Sequence, residues 1–162
     1  MLFLAVLLTA FALVAALPRR GARRPLREAA RVAMGAAFVV AGLSHFAAPD
    51  PFVQHLPEWV PSREGLVALT GVVEVVLGAG LVGPARLRPA AALAVAAYLV
   101  AVFPANVHVA LAGVDVDGQP GGAYPWLRLT LQPLFVAWAL SSVPGAVRRL
   151  RVPSLPLEPA AR

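Results

Sequence analysis

The stretch TGVVEVVLGAG, residues 70–80, carries one carboxylate, Glu74, among valines, leucine and glycines, with no other ionisable group nearby in the chain. A carboxyl group in such surroundings can give or take a proton, and a charge held there costs a few kcal/mol or more unless it is neutralised or paired. Four other polar side chains stand in similarly apolar contexts: His45 in GLSHFAAPD, Asn106 in FPANVHVAL, and Arg128 and Gln132 in RLTLQPLF. Glu74 has two ways to avoid the cost of its charge. It can stay protonated, or it can pair with Arg128 or His45. Taken together the set suits a binding site in which Glu74 donates or accepts a proton while His45, Asn106, Arg128 and Gln132 hold a polar group. The same residues can instead tie helices to one another, at on the order of 0.6–2 kcal/mol per hydrogen bond. His108 reads as a satisfied rim histidine, and His55 and Glu58 as solvated loop residues.

These residues sit in a membrane composition. Of 162 residues 59% are hydrophobic and 14% charged, against nearly half and about a quarter in soluble domains. The chain has no cysteine, so it contains no disulfide, thiolate zinc site, iron–sulfur cluster or CxxC redox centre, and any redox role must borrow its electron carrier. No metal site is expected. His45 and His108 could in principle be axial haem ligands, but nothing in their spacing demands the wide, apolar-walled gap that a macrocycle needs. There is no Walker motif, dinucleotide fingerprint, G-x-S-x-G or H-E-x-x-H. The net charge of +6 comes from arginines gathered between apolar runs, not interleaved with aromatics on one face, which excludes a nucleic-acid surface of the usual kind.

Five apolar runs approach the roughly 20 residues that cross a bilayer: 2–17, 29–48, 65–83, 89–112 and 126–144. The first begins MLFLAVLL and places its positive charge after the apolar run, the reverse of a signal peptide, so it reads as a retained helix. Arginine resists translocation. Arg19, Arg20, Arg23, Arg24, Arg27 and Arg31 follow the first run, Arg86 and Arg88 the third, and Arg148, Arg149, Arg151 and Arg162 the fifth, whereas only Arg63 and Arg128 fall on the other side. The expected topology has the N-terminus outside and the C-terminus in the cytoplasm. The outer segment APDPFVQHLPEWVPSRE, with four prolines, Phe52 and Trp59, suits the headgroup level. The segment GVDVDGQPGGAYP lacks the spacing and later glutamate of a calcium loop and reads as a solvated turn.

At about 1.5 Å rise per residue, Glu74 lies roughly 15 Å deep and the other four nearer the outer rim. Gly71, Glu74 and Gly78 share one helical stripe, as do Gly35, Phe38, Gly42 and His45; Leu99, Phe103, Asn106 and Ala110; and Arg128, Gln132, Phe135 and Ala139. Small residues on such stripes let backbones approach closely, and the four faces pack most simply around one interior. The segments GAAFVVAGL (35–43) and GVVEVVLGA (71–79) match one another, although such matches arise cheaply in sequences rich in Gly, Ala and Val.

The ordered segments GLSHFAAPDPFVQHLPEWVP, TGVVEVVLGAGLV, FPANVHVAL and RLTLQPLFVAW resemble the DoxX family of small bacterial membrane proteins, over residues 29 to about 140. The resemblance implies an all-α membrane protein: a DoxX-like four-helix transmembrane bundle over residues 28–146, preceded by one extra N-terminal transmembrane helix and basic loop (1–27) and followed by a basic, Pro-rich tail (147–162). It implies motif positions at His45, Pro49, Pro57, Glu74, Pro104, Asn106, Arg128 and Gln132. It further implies a multi-pass protein of the bacterial inner membrane serving as membrane subunit or anchor of a redox system, with quinone as a candidate ligand and an oxidoreductase as a candidate partner besides the lipid bilayer. A carrier for a small metabolite and a purely structural partner are the alternatives.

Overall fold

The computed structural model describes residues 2–19, 22–23 and 25–146; the tail expected over 147–162, and Arg20 and Arg24 of the basic loop, lie outside them. Among the described residues the chain is almost wholly helical. Helix α1 runs Leu2–Ala16, α2 Leu26–Ala47, α3 Asp50–Val53, α4 Arg63–Val82, α5 Arg88–Ala112 and α6 Tyr124–Ser142. Between α1 and α2 two short strands, β1 (Pro18–Arg19) and β2 (Ala22–Arg23), pair antiparallel. The protein is an all-α membrane protein in outline: α2, α4 and α5 are long and apolar enough to cross a membrane, and α1 is apolar but shorter. Helix α6 is not among the three, because Arg128, Thr130 and Gln132 interrupt its apolar sequence.

The closest packing is α2 against α4, and glycine makes it possible. A Cβ added at Gly42 would stand 2.6 Å from the Gly71 carbonyl oxygen, and one at Gly78 2.6 Å from that of Gly35. Gly35 faces Gly78 and Gly42 faces Gly71, so the helices cross antiparallel with backbones in contact at two levels, two turns apart. The matching segments 35–43 and 71–79 are thus the two sides of one seam, and their shared G-x₆-G spacing is what an antiparallel crossing with close backbone approach requires.

The apolar core lies toward the end of the bundle that holds the α2 N-terminus. Leu7, Met34, Phe38, Leu81, Val95 and Ala139 belong to it. Three side chains tie this end together. Trp138 Nε1 donates to the Ala30 carbonyl at 2.9 Å, Arg31 Nη1 to the Leu81 carbonyl, and Arg88 Nε to the Gly83 carbonyl at 2.9 Å. Two arginines thus serve the carbonyls at the C-terminal end of α4, where a helix leaves acceptors unpaired and favours positive charge. Arg31, grouped above with the arginines that follow the first apolar run, is a buried residue of α2.

Candidate functional site

At the opposite end α2 finishes, α4 and α6 begin, and α5 stops at Gly113, whose positive φ of 64° supplies the left-handed C-terminal residue. The loops there are cross-linked: Gln54 Nε2 donates to Asp117 Oδ2 at 2.6 Å, and the Asp117 amide donates to Gln54 Oε1 at 2.8 Å. Below them lies a cavity of about 510 Å³. Its polar lining includes Glu74, Tyr98, Asn106, Arg128 and Gln132, and its apolar lining includes Phe38, Phe52, Leu99 and Phe135. Helix α1, outside the four-helix interior expected from the stripes, closes one wall with Leu2, Phe3 and Leu4. The Phe3 ring packs edge-on against Phe38 at 5.6 Å and Phe135 at 5.1 Å between centroids.

The acidic part of the site is built on the glycine seam. Because Gly71 has no side chain, the His45 Cβ can occupy the place where a Cβ at 71 would stand, 2.8 Å away. This brings His45 Nδ1 to 2.8 Å from the Val67 carbonyl, which also accepts from Thr70 Oγ1 at 2.9 Å. A carbonyl can only accept, so Nδ1 carries a proton and a neutral imidazole presents a bare Nε2. That Nε2 faces Glu74 Oε2 at 3.5 Å. Two lone pairs turned toward each other repel, so one proton resides on the Glu74–His45 pair, on the carboxyl or on the ring. The other carboxyl oxygen, Oε1, accepts from the Tyr98 hydroxyl at 2.8 Å. Oε2 is buried with no hydrogen-bond partner, and His45 Nε2 stands 3.5 Å from it. Phe52 covers the outer face of the imidazole, its centroid 3.8 Å from that of His45.

The basic part is separate. Arg128 Nη2 donates to Asn106 Oδ1 at 2.8 Å, and Nη1 donates to Gln119 Oε1 at 2.8 Å and to His55 Nε2. His55 Nδ1 lies 2.6 Å from the Pro51 carbonyl, so it too carries the ring proton on Nδ1 and accepts through Nε2. Burial first, then the neighbouring Arg128 guanidinium, push His55 down to about 4, in keeping with a neutral ring. Gln132 Nε2 reaches the Leu99 carbonyl, and its Oε1 lies 3.4 Å from Asn106 Nδ2.

The five residues singled out from sequence therefore gather around one cavity, with His45 standing behind Glu74. Of the two partners considered for Glu74, the structure uses His45 and not Arg128, which binds neutral acceptors. Tyr98, Thr70, Gln119 and His55 were not anticipated. Tyr98 could have been found from its spacing, since Tyr98, Val102 and Asn106 lie at i, i+4 and i+8, beside the stripe through Phe103. His55 is the opposite of a solvated loop residue: it is 7% exposed, because the fold brings Arg128 and Gln119 onto it from segments remote in sequence. Among the described residues no group of three or more His, Asp or Glu is placed to hold a metal ion.

The chain belongs to the family described as a domain of unknown function (DUF8561), whose model matches residues 34–143. That span covers α2 from its third turn through α6 and leaves α1 outside. No curated protein and no solved structure matches the chain.

Proposed function

We propose that the chain is a DoxX-type membrane subunit or anchor of a redox system, crossing the bacterial inner membrane five times. Its N-terminus and polar cavity face outward, and the cavity takes a quinone or a similar small amphipathic molecule. The observation that carries this reading is the convergence of Glu74, Tyr98, Asn106, Arg128 and Gln132, from three helices, on one cavity with aromatic walls. Small-molecule sites have this character: mostly apolar linings with a few placed polar groups. An intramembrane ionisable residue is by default a functional candidate. Five spans follow from the arginine distribution together with α1 and α6, the two helices whose length or polarity makes them weaker spans in isolation.

On this reading the chain's own residues do three things. The Glu74–His45 pair holds one proton beside the cavity and can pass it to a head group or recover it. The Tyr98 hydroxyl, turned onto Glu74 Oε1 at 2.8 Å, orients the carboxyl and can follow it as the charge changes. Asn106 and Gln132 offer amide groups for orientation, while Phe52 keeps water from the imidazole. A quinone would supply the two-electron chemistry that no residue of this cysteine-free chain provides. The end away from the cavity is filled by the apolar core around Met34, Leu81 and Val95, with the buried Arg31 tied to the Leu81 carbonyl, which counts against a carrier.

The test is equilibrium binding of menaquinol and ubiquinol to the purified chain. Glu74→Gln is expected to weaken binding about tenfold, the equivalent of one strong hydrogen bond. Unchanged affinity in that variant refutes the proton role, and no binding to the wild type refutes the quinone reading.

A further inference from the structure

Arg128 presents a charge problem that the quinone reading leaves unsolved. Its guanidinium is clamped on three sides by neutral acceptors, Asn106 Oδ1, Gln119 Oε1 and His55 Nε2, with the Tyr124 ring 5.9 Å from its centre. Among the described residues no carboxylate pairs with it. The Glu74–His45 pair is already balanced by its shared proton. Asp117, the remaining carboxylate on the lining, is exposed and engaged by Gln54. A guanidinium has five N–H donors and three are accounted for, so among the described residues Nε–H and one Nη2–H have no hydrogen-bond acceptor, and Arg128 lines the cavity. A cation fixed by neutral groups in a largely desolvated place retains its full charge, and its burial goes uncompensated. The clamp also holds the planar fork in a single orientation, which is what bidentate recognition of an oxyanion uses.

The rest of the cavity says what the anion carries. Beyond Arg128 the walls are Phe3, Phe38, Leu99, Leu131 and Phe135, a surface for hydrocarbon. We infer that the Arg128 end of the cavity is an oxyanion site for an amphipathic monoanion, its carboxylate or phosphate head on the free guanidinium donors and its apolar body against the aromatic walls. This inference rests on the reading of the cavity as a ligand site and narrows the ligand class. The head could belong to a free organic acid or to an anionic phospholipid.

The probe is decanoate, with decanol as its uncharged counterpart, bound to the full chain in nanodiscs of phosphatidylcholine. Decanoate is expected to bind about tenfold or more tightly than decanol, as one charge-assisted hydrogen bond provides. Arg128→Gln should abolish that preference and Arg128→Lys should keep part of it. Equal binding of the two probes to the wild type overturns the inference whether or not either variant folds, and so does a folded Arg128→Gln that still prefers decanoate. Discs containing phosphatidylglycerol separate the sources: displacement of decanoate assigns the site to a lipid phosphate, and undiminished binding assigns it to a free acid. Menaquinol binding, followed in the same preparation, separates the two readings. If menaquinol binds and decanoate shows no preference, the oxyanion site falls and the ligand cavity stands; if none of the three probes binds, both fall.

Discussion

Replacing Glu74 by glutamine should leave the fold almost untouched, whereas replacing it by leucine should not. Glutamine has nearly the shape of glutamate, and its two ends match what the site presents. Its carbonyl oxygen can accept from Tyr98, as Oε1 does at 2.8 Å, and its amide can donate to the bare His45 Nε2, which now lies 3.5 Å from Oε2. The amide provides permanently the hydrogen that the Glu74–His45 pair must otherwise hold as a shared proton. The change in unfolding free energy should therefore stay within about 0.5 kcal/mol, the difference between two hydrogen bonds of similar geometry. Leucine leaves His45 Nε2 without a partner and the Tyr98 hydroxyl with Thr70 alone, at about 1–3 kcal/mol for a buried group left unpaired. Water can enter the adjoining cavity and replace part of what is lost, so a total of about 2 kcal/mol is the expected outcome. Unfolding followed by circular dichroism in a neutral detergent measures both. If Glu74→Gln destabilises as much as Glu74→Leu, the carboxyl makes an interaction that an amide cannot, and the shared-proton arrangement is wrong. If it does not, Glu74→Gln becomes a clean probe of function, since any loss of ligand binding then reflects the proton and not the fold.

Three further outcomes follow from the same structure. Gly42→Ala places a Cβ 2.6 Å from the Gly71 carbonyl oxygen and 2.9 Å from the Val75 amide nitrogen, so the two helices must part; a loss of about 1–3 kcal/mol is expected. Gly65→Ala in α4, whose added Cβ meets only Ser62 Cβ at 3.7 Å, should be neutral or stabilising by up to about 1 kcal/mol, and the same unfolding assay compares the pair. His55 makes stability depend on pH. Its folded value of about 4 lies below its unfolded value of about 6.5, so below pH 6.5 the unfolded chain binds the extra proton. This contribution is fully present above pH 6.5 and is lost as the pH falls toward 4, amounting to roughly 3 kcal/mol as an upper bound. Unfolding midpoints measured between pH 7 and 4 should fall in the wild type and fall less in His55→Gln; parallel profiles refute a neutral, buried His55.

How much of this was legible in the sequence depended on the range of the interaction. The stripe Gly71–Glu74–Gly78 and its counterpart Gly35–Phe38–Gly42–His45 follow from helical periodicity alone, and so did the inward face of α6 from Arg128 to Ala139. Periodicity says which face of a helix turns inward, but it does not say which neighbour that face meets or at what height. Hence Glu74 could be assigned either His45 or Arg128 from the sequence, and Tyr98, one position from the stripe chosen on α5, was passed over. His55 and Gln119 sit in segments whose polarity and prolines spell loop correctly. Their burial is decided by Arg128, 73 and 9 residues away in the chain, a contact no local pattern encodes. Helix α1 was read as an appendage for the same reason, since nothing in its uniform apolar sequence announces that Phe3 will wall the cavity.

The arrangement also assigns unequal mechanical roles to the helices. With glycine seams at two levels, α2 and α4 cannot slide without driving a carbonyl into a Cα, so His45 and Glu74 are fixed relative to each other. Arg128 is held by both loops at the cavity mouth through His55 and Gln119. Helix α5 reaches both groups: Tyr98 bonds to Glu74, Asn106 bonds to Arg128, and Pro104 lies within the helix between them. A proline in that position removes one ladder bond from the helix. A molecule lying in the cavity touches both halves, because Tyr98, Leu99, Val102 and Asn106 all line it. If the cavity takes a ligand as proposed, α5 links its two polar ends through Tyr98 and Asn106, and replacing either side chain should weaken that link while leaving the glycine seam intact.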